Sequence, residues 1–255
     1  MRLATFNILH ARSPKDGRVH VDQLHDAVRT IDADVLALQE VDVEQPRSDL
    51  ADLTAIAAEA MGAASHRFVA ALSGTPGATW IAATGGERPG TAAYGVALLS
   101  RYPAITWQTL RLPRIPGRFP MYLPGPGRVM MVREEPRAVV VAQLDSPAGL
   151  ITVANTHLSF VPGWNHVQLR RLRRDLSGMP SPRILMGDLN MTPPGPERST
   201  GMRSLARLRT YPVDEPERQL DYVLVDDPDI RPIACCAPPM SISDHRPLVV
   251  DVTFD

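Results

Sequence analysis

The stretch "RILMGDLN", residues 183–190, begins as an apolar run and ends with a carboxylate and a carboxamide two residues apart. Because side chains along a strand alternate between two faces, Asp188 and Asn190 point into the same space if the strand continues to its end. The alternative is a strand followed by a turn, since Asp, Asn and Gly are common in turns and "TPPGP" follows. Both readings are compatible with this stretch alone.

The rest of the chain reads as many strands and few helices. "RLATFNIL" and "DVLALQEV" predict two strands, and the apolar residues between 24 and 31 recur at helical spacing. Further helices are predicted over residues 50–62 and 165–177. Later strands are predicted at "YGVALLS", "AITWQTL", "RAVVVAQLD", "LITVANTHL", "RILMGDLN", "LDYVLVD" and "RPLVVDVTF".

This pattern indicates an α/β protein with mixed or antiparallel sheets, because several strands are adjacent in sequence. Apolar runs without alternation imply burial on both faces, and packed sheets with helices outside would provide it. With 255 residues, 44% hydrophobic composition and no linker-like shift in composition, we expect one domain over residues 1–255.

Two stretches are predicted to be long loops. Residues 73–93 are rich in Gly, Thr and Ala, and residues 111–136 contain many prolines, which cannot donate to a strand ladder. Long ordered loops often carry function. In the second stretch, the methionines and their apolar neighbours can form a lid or a lipid-facing patch, although ordinary packing is favoured: Met121, Tyr122, Leu123, Met130 and Met131.

Charge and cysteine usage limit the partners and the compartment. The formal net charge of -1 gives no overall cationic field that would gather nucleic acid. Cys235 and Cys236 are adjacent, a spacing that rarely forms a disulfide and that fits a reducing cytoplasm. No stretch resembles a signal peptide or is apolar enough to span a bilayer. We therefore expect a cytoplasmic protein, and a monomer.

Polar residues border several of the apolar runs. Each of them alone fits a structural role, yet buried charges are costly unless they are paired or bound to metal, so their repetition favours one shared site. The carboxylate and amide oxygens, without any cysteine among them, suit Mg²⁺ or Mn²⁺. The residues concerned are Asn7, Glu40, His157, Asp188, Asn190, Asp221, Asp244 and His245.

The segments "LALQE", "NTHL", "GDLN" and "SDHRP" follow one another in an order that resembles the endonuclease/exonuclease/phosphatase superfamily of metal-dependent phosphohydrolases. The resemblance spans Asn7 to His245. It implies a DNase I-like fold, a four-layered α-β-β-α sandwich with two packed mixed sheets. It also implies hydrolysis of a phosphoester by metal-assisted, in-line attack of water.

The resemblance implies a role for each residue. Asn7 and Glu40 would hold the catalytic Mg²⁺ or Mn²⁺, with Glu40 the principal ligand, and Asp244 would be a further carboxylate on the metal side. The remaining five would be the catalytic residues. Asp188 would bind or orient the attacking water, and Asn190 would contact a phosphate oxygen.

The implied proton chemistry rests on two histidines. His245 would contact the phosphate and assist proton transfer, since the ordinary pKa of histidine, about 6.5, lies near neutral pH. Asp221 would orient His245, as carboxylates do in other triads. His157 would act as acid or oxyanion stabiliser. Arg137, at the start of a predicted strand, is a further candidate, whereas the arginines of "QLRRLRRDL" fit an exposed helix face.

The substrate is less constrained. Leu9 and the segment "RQLDY" depart from the pattern of exonuclease III-like repair enzymes, which argues against base-excision repair. We expect a small phosphodiester or phosphomonoester, such as a nucleotide or a lipid headgroup. A DNase-like nuclease is the first alternative. A noncatalytic phosphate-binding module is the second, and the presence of every expected catalytic residue argues against it.

Overall fold

The computed structural model describes residues 1–123 and 127–254, and for residues 121–123 it describes the backbone alone. Four α-helices lie in this part of the chain: α1 (Val21–Ile31), α2 (Leu53–Met61), α3 (Trp164–Leu176) and α4 (Gly195–Thr200). Short 3-10 turns cover Leu9–Ala11 and Pro46–Ser48. The strands are β1 (Arg2–Asn7), β2 (Val35–Val43), β3 (Ser65–Gly74), β4 (Trp80–Ala82), β5 (Ala93–Ser100), β6 (Ala104–Leu112), β7 (Phe119–Leu123), β8 (Arg128–Val132), β9 (Arg137–Ser146), β10 (Gly149–His157), β11 (Arg183–Asp188), β12 (Arg203–Ser204), β13 (Asp221–Val225), β14 (Ile230–Cys236) and β15 (Leu248–Phe254).

Two large mixed sheets carry the fold. The first has seven strands in the order β14-β15-β1-β2-β5-β3-β4, and the second has six in the order β12-β13-β11-β10-β9-β6. The pairs β1–β2 and β10–β11 are parallel, and the other pairs in these two sheets are antiparallel. The prediction of mixed sheets is therefore confirmed.

The apolar runs do not alternate because each sheet is covered on both faces. In β2, Val35 and Ala37 join the core between the sheets, while Leu36 and Leu38 join a second core under α1 and α2. The six-stranded sheet divides its residues in the same way, between the central core and a third core under α3. The layers are thus helix, sheet, sheet and helix, as predicted.

A buried amide links the two sheets near the centre of the fold. Asn155 on β10 donates from Nδ2 to Leu38 O and to Ala97 O, each at 2.8 Å, and both acceptors belong to the opposite sheet. Its Oδ1 accepts from Gln39 Nε2 at 2.8 Å. Because buried polar groups are costly unless hydrogen-bonded, these contacts fix the relative position of the sheets.

The two predicted loops contain regular structure, so those predictions were wrong in part. β7 and β8 form a separate antiparallel hairpin within residues 111–136, in which Pro120 lies opposite Met131. A two-stranded ribbon has unpaired outer edges, and a proline is tolerated there because no ladder donor is needed. Within residues 73–93, β3 continues to Gly74 and pairs with β4.

Met130 and Met131 on β8 are exposed. Val129 is 63% exposed and Met131 is 55% exposed, so ordinary packing, the favoured interpretation, was wrong for this strand. The side chains of Met121, Tyr122 and Leu123 lie outside the described residues. A lid or a lipid-facing patch therefore stays a prediction. Among the described residues, no helix has both the length and the apolar character needed to cross a membrane.

Candidate active site

The strand ends of both sheets meet at one edge of the sandwich. Asn7 ends β1, His157 ends β10 and Asp188 ends β11. In the six-stranded sheet, Asp188 is paired with His157 on the parallel strand β10 and with Asp221 on the antiparallel strand β13. Strand register alone therefore brings three of the expected side chains side by side.

Glu40 reaches the same edge through a bulge. The register between β2 and β5 shifts between Gln39 and Val41, and Glu40 has a left-handed backbone with φ 57°. A bulged residue is released from the ladder, and bulges are common next to active sites because they re-aim a side chain. Glu40 Oε1 consequently lies 3.0 Å from Asn7 Nδ2.

The Asn7 amide joins two carboxylates from different sheets. Its Nδ2 donates to Glu40 Oε1 at 3.0 Å and to Asp188 Oδ2 at 3.1 Å, while its Oδ1 accepts from Leu9 N at 3.1 Å. In this rotamer, nitrogen rather than oxygen faces the carboxylates. The role of metal ligand predicted for Asn7 therefore requires the amide to be flipped.

A turn, not a continued strand, brings Asp188 and Asn190 together. β11 ends at Asp188, and Asn190 has a left-handed backbone with φ 49°. Asn190 N donates to Asp188 Oδ1 at 2.9 Å, and Asn190 Nδ2 lies 3.1 Å from His157 Nε2. The turn interpretation was correct for the backbone, and the two side chains still share one space.

Gly187 in "GDLN" permits a close approach of neighbouring strands. Its φ is 143°, and a Cβ atom there would lie 2.0 Å from the backbone oxygen of Thr156. Any side chain would push β11 away from β10. The glycine therefore supports the position of Asp188 beside His157.

His245 is held by groups from three segments. Its Nδ1 lies 2.9 Å from Asp221 Oδ2, and its ring centroid lies 4.9 Å from that of Tyr211. Ser243 Oγ accepts from His245 N at 3.0 Å and donates to Asn7 O at 2.6 Å. Tyr211 and Ser243 were not predicted from the sequence, because no pattern connects their segments to the histidine.

Two imidazoles flank the carboxylate of Asp188. His157 Nε2 is 3.5 Å and His245 Nε2 is 3.8 Å from Asp188 Oδ2. Asp244, predicted to lie on the metal side, is half-buried, and its charge is close enough to raise the pKa of Glu40. Direct contacts therefore link seven of the eight predicted residues, and Asp244 acts on Glu40 through its charge.

Burial perturbs the carboxylates. Loss of solvation raises the pKa of Glu40. It also raises the pKa of Asp188 to about 7, with a further contribution from the nearby charge of Asp221. Both shifts disfavour the ionised carboxylates, so a positive charge placed among these groups would stabilise their ionised forms.

The two histidines are shifted in opposite directions. Burial, with the charges of Arg137 and His245, lowers the pKa of His157 well below its ordinary value. Burial also acts to lower the pKa of His245, but the charge of Asp221 and the hydrogen bond to it outweigh burial and raise the value to about 10. Without a metal, these shifts favour a neutral His157 and a protonated His245 at neutral pH. Opposed pKa shifts of this kind give the two histidines different roles, with His157 as a hydrogen-bond acceptor and His245 as a donor.

Arg137 is a buried cation in the same cleft. It is only 5% exposed, and its Nε is buried without a hydrogen-bond partner. Its charge lowers the pKa of both Glu40 and His157, which places it near them. Among the described residues, no carboxylate forms an ion pair with it. A buried guanidinium in this state fits an anionic ligand.

The donor set fits a divalent metal. Asp188, Asp221 and His245 offer ligand atoms that all lie within 4.8 Å of one another, and Asp221 Oδ1 is buried without a partner. A cation would also lower the raised pKa values of Glu40 and Asp188. This cluster differs from the predicted metal ligands, which are Asn7, Glu40 and Asp244. Asp188 connects the two sets, because it belongs to the cluster and accepts a hydrogen bond from Asn7.

The family follows from the whole sequence. Residues 4–245 match the model of the Endonuclease/Exonuclease/phosphatase family. The chain belongs to this family. The resemblance seen in the sequence is thereby confirmed, and endonuclease/exonuclease/phosphatase proteins are generally metal-dependent hydrolases that act on phosphoesters.

Solved structures agree on the fold. The chain is similar to an endonuclease/exonuclease/phosphatase from Beutenbergia cavernae, with a TM-score of 0.73 and 23% identity over 100% of this chain and 71% of that one. An endonuclease/exonuclease/phosphatase from Bacteroides vulgatus gives a TM-score of 0.68 and 19% identity over 100% of this chain and 98% of that one. A mannosyl-6-phosphatase from Bacteroides thetaiotaomicron gives a TM-score of 0.62 and 14% identity over 100% of this chain and 100% of that one. Comparison with curated proteins gives no match.

Proposed function

We propose that the chain is a Mg²⁺- or Mn²⁺-dependent phosphoesterase that hydrolyses a small phosphodiester or phosphomonoester, such as a nucleotide or a lipid headgroup. The observation that carries the proposal is the bridge from Asn7 to the carboxylates of Glu40 and Asp188, with His157 and His245 on either side of Asp188. A structural neighbour that is a mannosyl-6-phosphatase supports a small phosphoester.

Glu40, Asp188 and Asp244 would hold the metal, and Asn7 would join them after its amide flips. The bound cation supplies positive charge to the phosphate oxygens and to the leaving oxygen. This proposal combines the sequence prediction with the position of Asp188, which contacts the same Asn7 amide as Glu40.

Asp188 orients the attacking water and accepts its proton. Its carboxylate is held by Asn190 N at 2.9 Å, a hydrogen bond that the flip of the Asn7 amide leaves in place. Burial raises the pKa of Asp188 to about 7 without a metal, and the bound cation would lower it, which keeps the carboxylate ionised and able to accept a proton at neutral pH. Asn190 Nδ2 donates to Leu158 O and lies 3.1 Å from His157 Nε2, so a contact with a phosphate oxygen would replace one of these two hydrogen bonds.

His245 acts as a donor to the phosphate. Its Nδ1 donates to Asp221, which leaves the Nε2 proton facing the cleft. His157 has the opposite role: because its pKa is lowered, it is a poor general acid at neutral pH, and it accepts from Asn190. Arg137 completes the site by facing the non-bridging oxygens with its unpaired guanidinium.

The test is a panel of phosphoesters assayed with Mg²⁺, with Mn²⁺ and after exhaustive chelation. It comprises bis-p-nitrophenyl phosphate, sugar phosphates, inositol phosphates, nucleotides, sphingomyelin and plasmid DNA. We expect metal-dependent hydrolysis of a small ester. Cleavage of plasmid DNA alone would replace the proposal with the nuclease alternative. Phosphate binding without hydrolysis of any ester would favour the noncatalytic module, and full activity without metal would contradict the metal role.

A further inference from the structure

A basic pocket opens beside the candidate active site. It measures about 550 Å³ and lies between the turn that follows β1 and the turn that follows β2. Three guanidinium groups, an imidazole and one carboxylate line it: Arg12, Arg18, Arg47, His10 and Asp49. The proposed catalytic roles use none of these residues.

The arginines differ in how their charge is balanced. Arg47 forms a two-point ion pair with buried Asp42, at 2.7 and 2.8 Å. Arg12 donates from Nε to the backbone oxygen of Gly17 at 3.1 Å, which leaves its terminal nitrogens unused. In the described part of the chain, the side chain of Arg18 has no hydrogen bond or ion pair. The pocket therefore holds two guanidinium groups without an ion pair, with Asp49 in its lining and the exposed carboxylate of Asp16 close enough to Arg18 for their charges to interact.

His10 is built into the pocket wall in an unusual state. It is 8% exposed, and neither ring nitrogen has a hydrogen-bond partner among the described residues, with Nδ1 fully buried. Its backbone is left-handed (φ 45°, ψ 37°), as it also is at Leu9 (φ 44°) and Ala11 (φ 63°). Three successive non-glycine residues in this region are strained, and such strain concentrates at functional sites.

The pocket lies next to the catalytic cleft, since the charge of Glu40 acts on Arg47 in the pocket wall. Leu9 N donates to Asn7 Oδ1 at 3.1 Å, so the turn that carries His10 begins on a residue of the cleft. Arg12 O accepts from Ser243 N at 2.8 Å, and Ser243 precedes Asp244. The segments that form the pocket are therefore attached to the cleft on the side of Asn7.

We propose that this pocket binds a second phosphate group of the substrate, one that is not cleaved; the inference rests on the proposed phosphoesterase function. Arg12 and Arg18 present planar forks that match phosphate oxygens, and His10 donates from the ring nitrogen that faces the pocket. Because burial and the charges of Arg47 and Arg12 lower the pKa of His10 to about 3, the ring is neutral at neutral pH and carries one N–H donor.

The occupant is a compact molecule with two phosphates rather than a polynucleotide. The carboxylate of Asp49 stands in the pocket, and the net charge of the chain is -1, so a long polyanion is not favoured beyond the pocket. The substrate class is then a phosphoester that carries a second phosphate, such as a nucleoside bisphosphate or a sugar bisphosphate.

The binding test does not depend on activity. Inorganic phosphate is titrated into the chelated, full-length protein carrying ¹³C-labelled histidine, and the His10 signals are identified by their absence in His10→Gln. We expect a saturable shift of the His10 signals in the wild type and its loss in Arg18→Gln. Arg170→Gln, on the exposed face of α3, is the matched control and keeps the shift. Absence of any His10 shift in the wild type would overturn the pocket assignment.

The substrate test uses a matched pair of esters, thymidine 5′-(p-nitrophenyl phosphate) and its 3′-phosphorylated analogue. Two charge-assisted contacts favour the doubly phosphorylated ester by roughly 10- to 100-fold in kcat/KM. The ratio falls towards 1 in Arg18→Gln and is unchanged in Arg170→Gln. A ratio near 1 in the wild type would overturn the substrate role, and a preference seen only with oligonucleotides would overturn the compact substrate. If no ester is hydrolysed while His10 responds to phosphate, the proposed function fails and the pocket stands.

Discussion

Asn7 and Asp188 make a direct hydrogen bond across the two sheets, with Nδ2 and Oδ2 3.1 Å apart, although 181 positions separate them in the chain. The same Nδ2 reaches Glu40 Oε1 at 3.0 Å. A single amide hydrogen-bond donor therefore lies between two carboxylates whose pKa values are both raised, where a cation would be most favourable.

The first prediction concerns Glu40. In Glu40→Gln, kcat/KM with Mn²⁺ should fall at least ~100-fold, because metal-bound charge stabilisation is worth several kcal/mol. Mn²⁺ binding, followed by calorimetry, should weaken in parallel while the circular dichroism spectrum is unchanged. Asp145→Asn removes an exposed carboxylate on β9 and is the control for lost charge. Wild-type activity in Glu40→Gln would exclude Glu40 as a metal ligand.

The second prediction concerns Asp221, which holds His245 Nδ1 at 2.9 Å. In Asp221→Asn, the charge that raises the pKa of His245 is lost, and the imidazole is no longer held as a donor. We expect kcat to fall about 10²- to 10⁴-fold with little change in KM, since the contact matters mostly in the transition state. Steady-state kinetics give both constants. A change confined to KM would show that Asp221 serves binding instead of proton chemistry.

Much of the architecture was predictable because buried strands leave long apolar runs. "DVLALQEV" and "RAVVVAQLD" each supply residues to two cores, so they lack alternation and are easily recognised. The site was predictable for a related reason: polar residues at the ends of such runs have few alternatives to a shared cleft. The bulge at Glu40 left no signal, because a left-handed glutamate is set by tertiary contacts and not by local preference.

Other features depend on contacts between distant segments. The hairpin of β7 and β8 contains Pro120, which by local preference argues against a strand. The packing of Tyr211 against His245 and the unpaired state of His10 arise from turns that meet only after folding. Asn190 is an intermediate case: the turn was an open alternative, but its contact with His157 could not be read from spacing.

The third prediction concerns stability. Asn155→Ala removes three buried hydrogen bonds between the sheets and leaves Gln39 Nε2 without one of its partners. The free energy of unfolding should fall by about 2–4 kcal/mol, measured by urea denaturation. Gln108→Ala, which removes an exposed amide on β6, should change it by less than about 0.5 kcal/mol. Equal effects of the two substitutions would show that the bridge contributes little.

The fourth prediction is a pH dependence at His10. Burial and two nearby arginines lower its pKa from 6.5 to about 3, so the folded state binds this proton less readily than the unfolded state. The contribution of neutral His10 is therefore fully present above pH 6.5 and is lost as the pH falls towards 3. Between pH 7 and 4.5, the wild type should lose about 2 kcal/mol more stability than His10→Gln.

Urea denaturation at a series of pH values measures this difference, and exposed His66→Gln is the control. The charged groups that line the pocket with His10 are the guanidinium groups of Arg12, Arg18 and Arg47 and the carboxylate of Asp49. Parallel stability curves for the wild type and His10→Gln would show that the ring is protonated without penalty. If phosphate binds beside His10, added phosphate should reduce the loss of unfolding free energy that the wild type shows at acid pH.

The fifth prediction assigns substrate selection to residues 111–136, without a role in the chemistry. Arg114, Arg118 and Arg128 are exposed there, and Val129 and Met131 are exposed apolar side chains on the same hairpin. The arginines of this surface can bind phosphate, and its apolar side chains can contact an apolar leaving group.

The base of the hairpin is tied to the rest of the protein, so it can be shortened without removing that attachment. Ile115 N donates to Glu134 Oε2 at 2.8 Å, and Trp164 Nε1 at the start of α3 donates to Pro113 O at 3.1 Å. Replacing residues 118–132 with a short glycine-serine linker leaves both contacts in place. Thermal melting should confirm that the shortened protein remains folded.

The measurement is the ratio of kcat/KM for a large ester, sphingomyelin or a nucleotide, to that for bis-p-nitrophenyl phosphate, before and after the replacement. We expect the ratio to change while the small ester is still hydrolysed, because none of the proposed catalytic or metal-binding residues belongs to the hairpin. An unchanged ratio would assign the hairpin to packing. Loss of both activities in a folded variant would mean that the hairpin helps to build the site, because substrate selection alone leaves hydrolysis of the small ester intact.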